Sequence, residues 1–177
     1  MIYLLAGHHL ADPGAVSGGV KESDLTIELR NLVVPYLVQS GLQYKVDDDR
    51  NTLSQVIAKI DSTEKCVILD LHWNAASSNQ ANGLEVVIPE RSTDNERFYG
   101  DLLAKEGSKA LGIRNRGVIP ESRTARKSLA IMRPHGMNLL LEVCFITNPK
   151  DMAAYQRNKH TLAKVIASVL YQAEIAM

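Results

Sequence analysis

The chain holds 177 residues, long enough for one domain with a substantial core. Lys+Arg and Asp+Glu number 20 each, so the formal net charge is zero and no basic excess marks a nucleic-acid or anionic-lipid partner. No run of about 18 apolar residues exists for membrane insertion, and the opening MIYLLAGHH lacks the positive flank of a secretory signal, so the expectation is synthesis in the cytoplasm.

Ile2–Ala6 reads as a first strand, and Gly7–Lys21 as a glycine-rich loop with a turn at Asp12-Pro13-Gly14. Ser23–Gln39 reads as a helix, because Leu25, Leu29, Leu32, Val33, Tyr36 and Leu37 recur at helical spacing and Gly41 stops it. A short strand is expected at Leu42–Val46 and a second helix over Thr52–Ile60. Cys66–Leu71 is a buried central strand and Leu84–Ile88 another; Asp94–Leu111 is helical. Gly112–Lys127 is a polar loop rich in arginine. Leu129–Met132 and Leu139–Phe145 read as strands, Met152–Tyr155 as a short helical turn, and Thr161–Ala173 as the terminal helix. Strand and helix alternate. The expected fold is therefore a single α/β domain over residues 1–177, with a mostly parallel twisted sheet of about six strands flanked by helices. Cys66 and Cys144 lie inside apolar runs and read as buried thiols.

Ligand-type side chains stand at the ends of three apolar runs. His8 follows YLLAG, His72 follows CVILDL, and Glu142 ends NLLL. Sites in open parallel sheets gather beyond the carboxyl ends of strands, so these three can meet at one edge. Glu22, at the start of the first helix, can reach the same edge. Two histidines and a carboxylate suit catalytic zinc with the fourth position left to water, and a second carboxylate is then needed for the proton. Two glutamates are available, and spacing alone does not divide the roles between them. Glu142 is the costlier, because a carboxylate inside a buried strand needs a partner or a metal. On these residues alone a zinc peptidase or a deacetylase on a related scaffold fits as well. Asp70 shares a strand face with His72 by alternation and is a candidate hydrogen-bond partner for it.

Longer stretches carry a more specific pattern. Gly7-His8 is followed by Asp12-Pro13-Gly14-Ala15, in the form GHxxxDPGA. Gly18-Gly19 leads to Glu22. Leu71-His72-Trp73-Asn74-Ala75 has the form LHxNA, Leu141-Glu142-Val143-Cys144-Phe145-Ile146-Thr147-Asn148 is followed by Asp151, and Arg116-Gly117-Val118 adds a shorter signature. In this order, over nearly the whole chain, they resemble the zinc-dependent N-acetylmuramoyl-L-alanine amidases of the Amidase_3 type. The chain departs from that pattern at Leu4-Leu5-Ala6, where an Asp is common, at His9 and Cys144 for glycine, and at Asp70 for a small residue.

The resemblance implies a phosphorylase/hydrolase-like fold and one zinc ion per chain, held by His8, Glu22 and His72, with Glu142 as the catalytic carboxylate. It implies hydrolysis of the amide bond between N-acetylmuramic acid and L-alanine of peptidoglycan by a monomer acting on the bacterial cell wall. A wall-binding module without turnover is the non-enzymatic alternative. Arg133, Glu85 and Asn74 are the candidate substrate contacts. A chain with no export signal and no attached wall-binding stretch fits a phage endolysin acting on its host's wall, and equally the catalytic piece of a bacterial autolysin.

Overall fold

The computed structural model describes residues 1–61 and 65–177. In chain order it contains β1 (Ile2–Ala6), a two-stranded ribbon of β2 (Val16–Ser17) and β3 (Val20–Lys21), α1 (Glu22–Ser40), β4 (Tyr44–Val46), α2 (Leu53–Ile57), β5 (Val67–Asn74) and β6 (Leu84–Ile88). Then follow α3 (Asp94–Leu111), β7 (Asn115–Pro120), two 3-10 turns (Glu121–Arg123 and Ala130–Met132), β8 (Met137–Phe145) and α4 (Pro149–Ile175). Among the described residues the main sheet has six strands, ordered β4-β1-β5-β8-β6-β7. Every pairing is parallel except β6 with β8.

Both faces of the sheet are covered, but unequally. Strands β1 (IYLLA) and β6 (LEVVI) are buried at every position, the pattern of strands packed on both sides, with Glu85 the one charged residue between them. One face, with Leu4, Leu69, Leu71, Leu139 and Leu141, packs under α1, α3 and α4. The other face, with Tyr3, Leu5, Ile68, Val87 and Leu140, is capped more thinly by residues such as Ile60, Ile131 and Met132. Side chains alternate along a strand. Asp70 and His72 therefore share this thin face with Ile68, Glu142 shares it with Leu140, and Glu85 shares it with Val87.

Several sequence expectations need correction. Leu129–Met132 is not a strand. Ala130–Met132 form a 3-10 turn whose Ile131 and Met132 close over the sheet; a short apolar run carries no period to separate the two. The sixth strand is instead β7, inside the stretch read as a polar loop. Its first residues, Asn115 and Arg116, are exposed because β7 is an edge strand. The helix expected over Thr52–Ile60 is confined to Leu53–Ile57. The short turn and the terminal helix are one continuous α4, whose N-cap Asn148 accepts the amides of Lys150 and Asp151 ahead of Pro149. Helix α3 matches its expected bounds, opened by a Thr93–Glu96 capping box and closed by Gly112 in the left-handed region. Both cysteines are buried, and the Cys66 thiol donates to the His135 carbonyl at 3.3 Å.

Candidate metal and catalytic site

The site forms where β1, β5 and β8 end together. In the sheet register Ala6 lies beside Leu71, and His72 beside Glu142. His8 leaves β1 with φ of 69°, a left-handed conformation that a non-glycine residue adopts at a cost of about 1–3 kcal/mol. His72 is the sixth residue of β5, so the strand runs past its expected end and carries the imidazole itself. The next residue, Trp73, points to the opposite face, buried edge-on against Tyr155 at 5.1 Å between ring centroids. That anchor holds His72 toward the thin face.

Glu22 begins α1 and is 4% exposed. Its Oε1 accepts the Trp73 amide at 3.0 Å and stands 3.0 Å from His72 Nδ1. Its Oε2 accepts the Ala15 amide at 2.9 Å and stands 3.1 Å from His8 Nε2. One nitrogen or oxygen from each of His8, Glu22 and His72 lies within 4.8 Å of the others, a cluster that can hold a metal ion. The remaining imidazole nitrogens meet two further carboxylates. His8 Nδ1 is 3.1 Å from Asp12 Oδ2, and His72 Nε2 is 3.2 Å from Asp70 Oδ2. Each ring thus turns one nitrogen to the cluster and the other to an outer carboxylate, the arrangement that fixes tautomer and orientation in zinc–histidine sites. Two imidazoles and one carboxylate, with no fourth side chain in the cluster among the described residues, match the donor set of a catalytic zinc. The residues present fit the ion.

Electrostatics follow from this crowding. Burial works against the charged forms of both histidines. For His8 the hydrogen bond and charge of Glu22 prevail and its pKa is raised; for His72 the charge and hydrogen bond of Asp70, the hydrogen bond of Glu22 and the charge of Glu142 raise it well above the ordinary value. Burial works against the Glu22 carboxylate too, but the His72 and His8 contacts hold its pKa far below the usual range. Glu142 behaves oppositely. Burial pushes its pKa up to about 7; His72 opposes the rise, and the charges of Glu22, Glu85 and Asp70 add to it. Glu142 Oε2 is buried with no hydrogen-bond partner among the described residues.

The other candidates divide. Glu85 lies beside Glu142 in register and accepts Asn74 Nδ2 at 2.7 Å on one oxygen and Arg116 Nε at 2.9 Å on the other. Asn74, Glu85 and Glu142 all line one open cleft of about 1080 Å³ together with the His8–Glu22–His72 cluster. Arg133 does not line it. Its guanidinium makes a two-pronged pair with Glu121, at 2.9 Å to each oxygen, and a third hydrogen bond to Ser128. Arg133 thus braces the segment after β7. His9 lines the cleft but lies outside the cluster; its Nδ1 accepts the Ala11 amide at 3.3 Å. Sequence reasoning gave no role to Asp12 beyond the motif. Its spacing of four from His8 is the only available signal. The amides of Ala15 and Trp73 that fix Glu22 leave no sequence signal.

Gly14 closes the loop over the cluster with φ of 63°. A Cβ there would come within 2.6 Å of Glu22 Oε2 and of His8 Cδ2. Gly14→Ala is therefore expected to weaken any metal binding at the cluster by about tenfold or more, because His8 and Glu22 themselves must move; competition with a chromogenic chelator measures it.

The N-acetylmuramoyl-L-alanine amidase family, Amidase_3, matches residues 2–172. Among curated proteins, the N-acetylmuramoyl-L-alanine amidase LytC of Bacillus subtilis is 26% identical over 155 residues, covering 85% of this chain. The chain spans only 30% of the length of LytC. The germination-specific N-acetylmuramoyl-L-alanine amidase of the same organism is 26% identical, with 97% of this chain and 77% of that protein covered. The catalytic domain of CwlV, an N-acetylmuramoyl-L-alanine amidase from Bacillus (Paenibacillus) polymyxa var. colistinus, has the same fold: TM-score 0.84 at 22% identity, covering 99% of this chain and 98% of that one. With the family match running from the first strand into the last helix, this chain belongs to the N-acetylmuramoyl-L-alanine amidase family.

Proposed function

We propose that residues 1–177 act as one catalytic domain that hydrolyses the amide bond between N-acetylmuramic acid and L-alanine in bacterial peptidoglycan. In this reading His8, Glu22 and His72 hold one zinc ion and Glu142 moves the proton. The observation that carries it is the contrast between the two glutamates. Glu22 has both oxygens tied to backbone amides and facing imidazoles, whereas Glu142 keeps a buried oxygen without a partner among the described residues. When bound, zinc supplies Lewis acidity, which polarises a scissile carbonyl and makes water a nucleophile near neutral pH.

The chain's own residues do the rest. Glu142, whose carboxyl pKa is pushed up by burial to about 7 in the metal-free chain, takes a proton from water and holds it for the leaving group. The same oxygen then returns it to the departing L-alanine nitrogen. Glu85 is held by Asn74 and Arg116 and keeps a fixed charge beside Glu142. Asp12 and Asp70 orient the two imidazoles.

Asp70→Asn removes the outer charge on His72 with little change of shape, and zinc is expected to bind about 10–100-fold more weakly. Chelator competition reports this directly, and unchanged affinity would remove Asp70 from the account. The reaction itself is tested on purified peptidoglycan. The proposal expects new L-alanine amino termini without new reducing sugars. Release of reducing ends, or cleavage between stem residues, would overturn it.

A further inference from the structure

The cleft does not stop at the cluster. Counting back along the strands, it passes from Glu142 to Leu140, from Glu85 to Val87 in antiparallel register, and to Leu5, which lies beside Asp70. It is a groove along the thinly covered face. Leu53 and Val56 line one part of it and the segment Arg123–Ile131 another. That segment is braced from beneath by Glu121, which is 2% exposed, accepts the Leu129 amide at 2.7 Å and holds Arg133 with both oxygens.

Two guanidinium groups stand out on this brace. Arg123 and Arg126 both line the groove, are exposed, and make no hydrogen bond or ion pair among the described residues. Arg116 and Arg133, by contrast, are committed to Glu85 and Glu121. The groove's other charged residues are mostly acids: Asp12, Glu22, Asp70, Glu85 and Glu142. An anionic ligand arm near these acids is repelled unless cations offset them. The proposed substrate has two arms leaving the scissile bond, a carbohydrate arm and a peptide arm that carries carboxylates.

We propose that Arg123 and Arg126 form a carboxylate subsite, so that the stem peptide lies along the groove under the braced segment and the carbohydrate leaves by the other side. This rests on the amidase reading for the identity of the peptide. Planar guanidinium groups suit carboxylates through paired hydrogen bonds, and the braced segment fixes the backbone from which these two extend.

The test is calorimetric binding of two synthetic stem peptides to the zinc-loaded chain, one with free side-chain and terminal carboxylates and one with these amidated. The wild type is expected to bind the free form about tenfold more tightly, a preference that falls as salt rises. Arg123→Ala/Arg126→Ala should bind both peptides alike, at the affinity the wild type shows for the amidated one, with its thermal stability unchanged. No preference in the wild type, or an undiminished preference in the double variant, overturns the subsite. Turnover of a muramoyl peptide is read in parallel: a preserved binding preference without turnover would stand against the hydrolase reading while supporting the subsite.

Discussion

Glu142→Gln is expected to abolish turnover, to retain the proposed zinc ion, and to make the metal-free protein more stable at neutral pH. The first result follows from the proton: an amide cannot accept it from water and return it to the leaving nitrogen, and loss of such a group costs about 10²–10⁴-fold in rate. The third follows from linkage. The carboxyl has a pKa of about 7 in the fold and 4.5 as its reference value. Between these values the folded protein keeps a proton that the unfolded chain releases, so stability falls as pH rises through that window. The penalty is absent below the lower value and complete at and above the upper one, where it amounts to about 3 kcal/mol. Glutamine carries no such penalty. Chelated Glu142→Gln is therefore expected to melt roughly 6–12 °C above chelated wild type at pH 7.5, with the gap closing by pH 4. Equal melting temperatures at pH 7.5 would show that Glu142 is not strained by its surroundings.

His72→Ala also loses turnover, but it moves in the opposite direction on zinc retention and on the stability of the metal-free fold. It removes one of the three proposed ligands, so zinc affinity should fall by more than the 10–100-fold expected for an outer partner, and turnover should fall with it. The metal-free fold should also suffer. Asp70 and Glu22, both buried, lose the imidazole that faces them at 3.2 and 3.0 Å. Breaking a buried pair from one side costs about 3–5 kcal/mol. Glu142 at the same time loses the His72 charge that opposes the rise of its pKa. Paired melting curves of chelated His72→Ala and Glu142→Gln should thus lie on either side of wild type. A chelated His72→Ala protein as stable as wild type would mean that the cluster is not the electrostatic unit described here.

The residues that the sequence made legible are those whose neighbours are apolar. Strands β1 and β6 and helix α3 were read to the residue because short, mostly apolar runs or a clear helical period bound them. His8, His72 and Glu142 stood out because each interrupts or ends such a run. What escaped is what long-range pairing decides. Strand β7 is an edge strand whose polar start reads as loop, and its register against β6 is set by contacts thirty residues away. Helix α4 reads as two pieces because Gln156-Arg157-Asn158-Lys159-His160 is polar; those residues form part of its outer surface. Arg133 read as a ligand-facing strand end because nothing in the sequence announces that Glu121, twelve residues earlier, is buried and waiting for it. The outer carboxylates split the same way. Asp70 follows from strand alternation with His72, whereas Asp12 needs the turned loop in which His8 takes its left-handed conformation.

The most direct measurement is zinc per chain, by atomic emission, for the purified wild type, Glu22→Ala and Glu142→Ala. One ion each in the wild type and in Glu142→Ala, and none in Glu22→Ala, is the expected result. An ion kept without Glu22, or lost without Glu142, would contradict the division between ligand and proton carrier on which the mechanism rests.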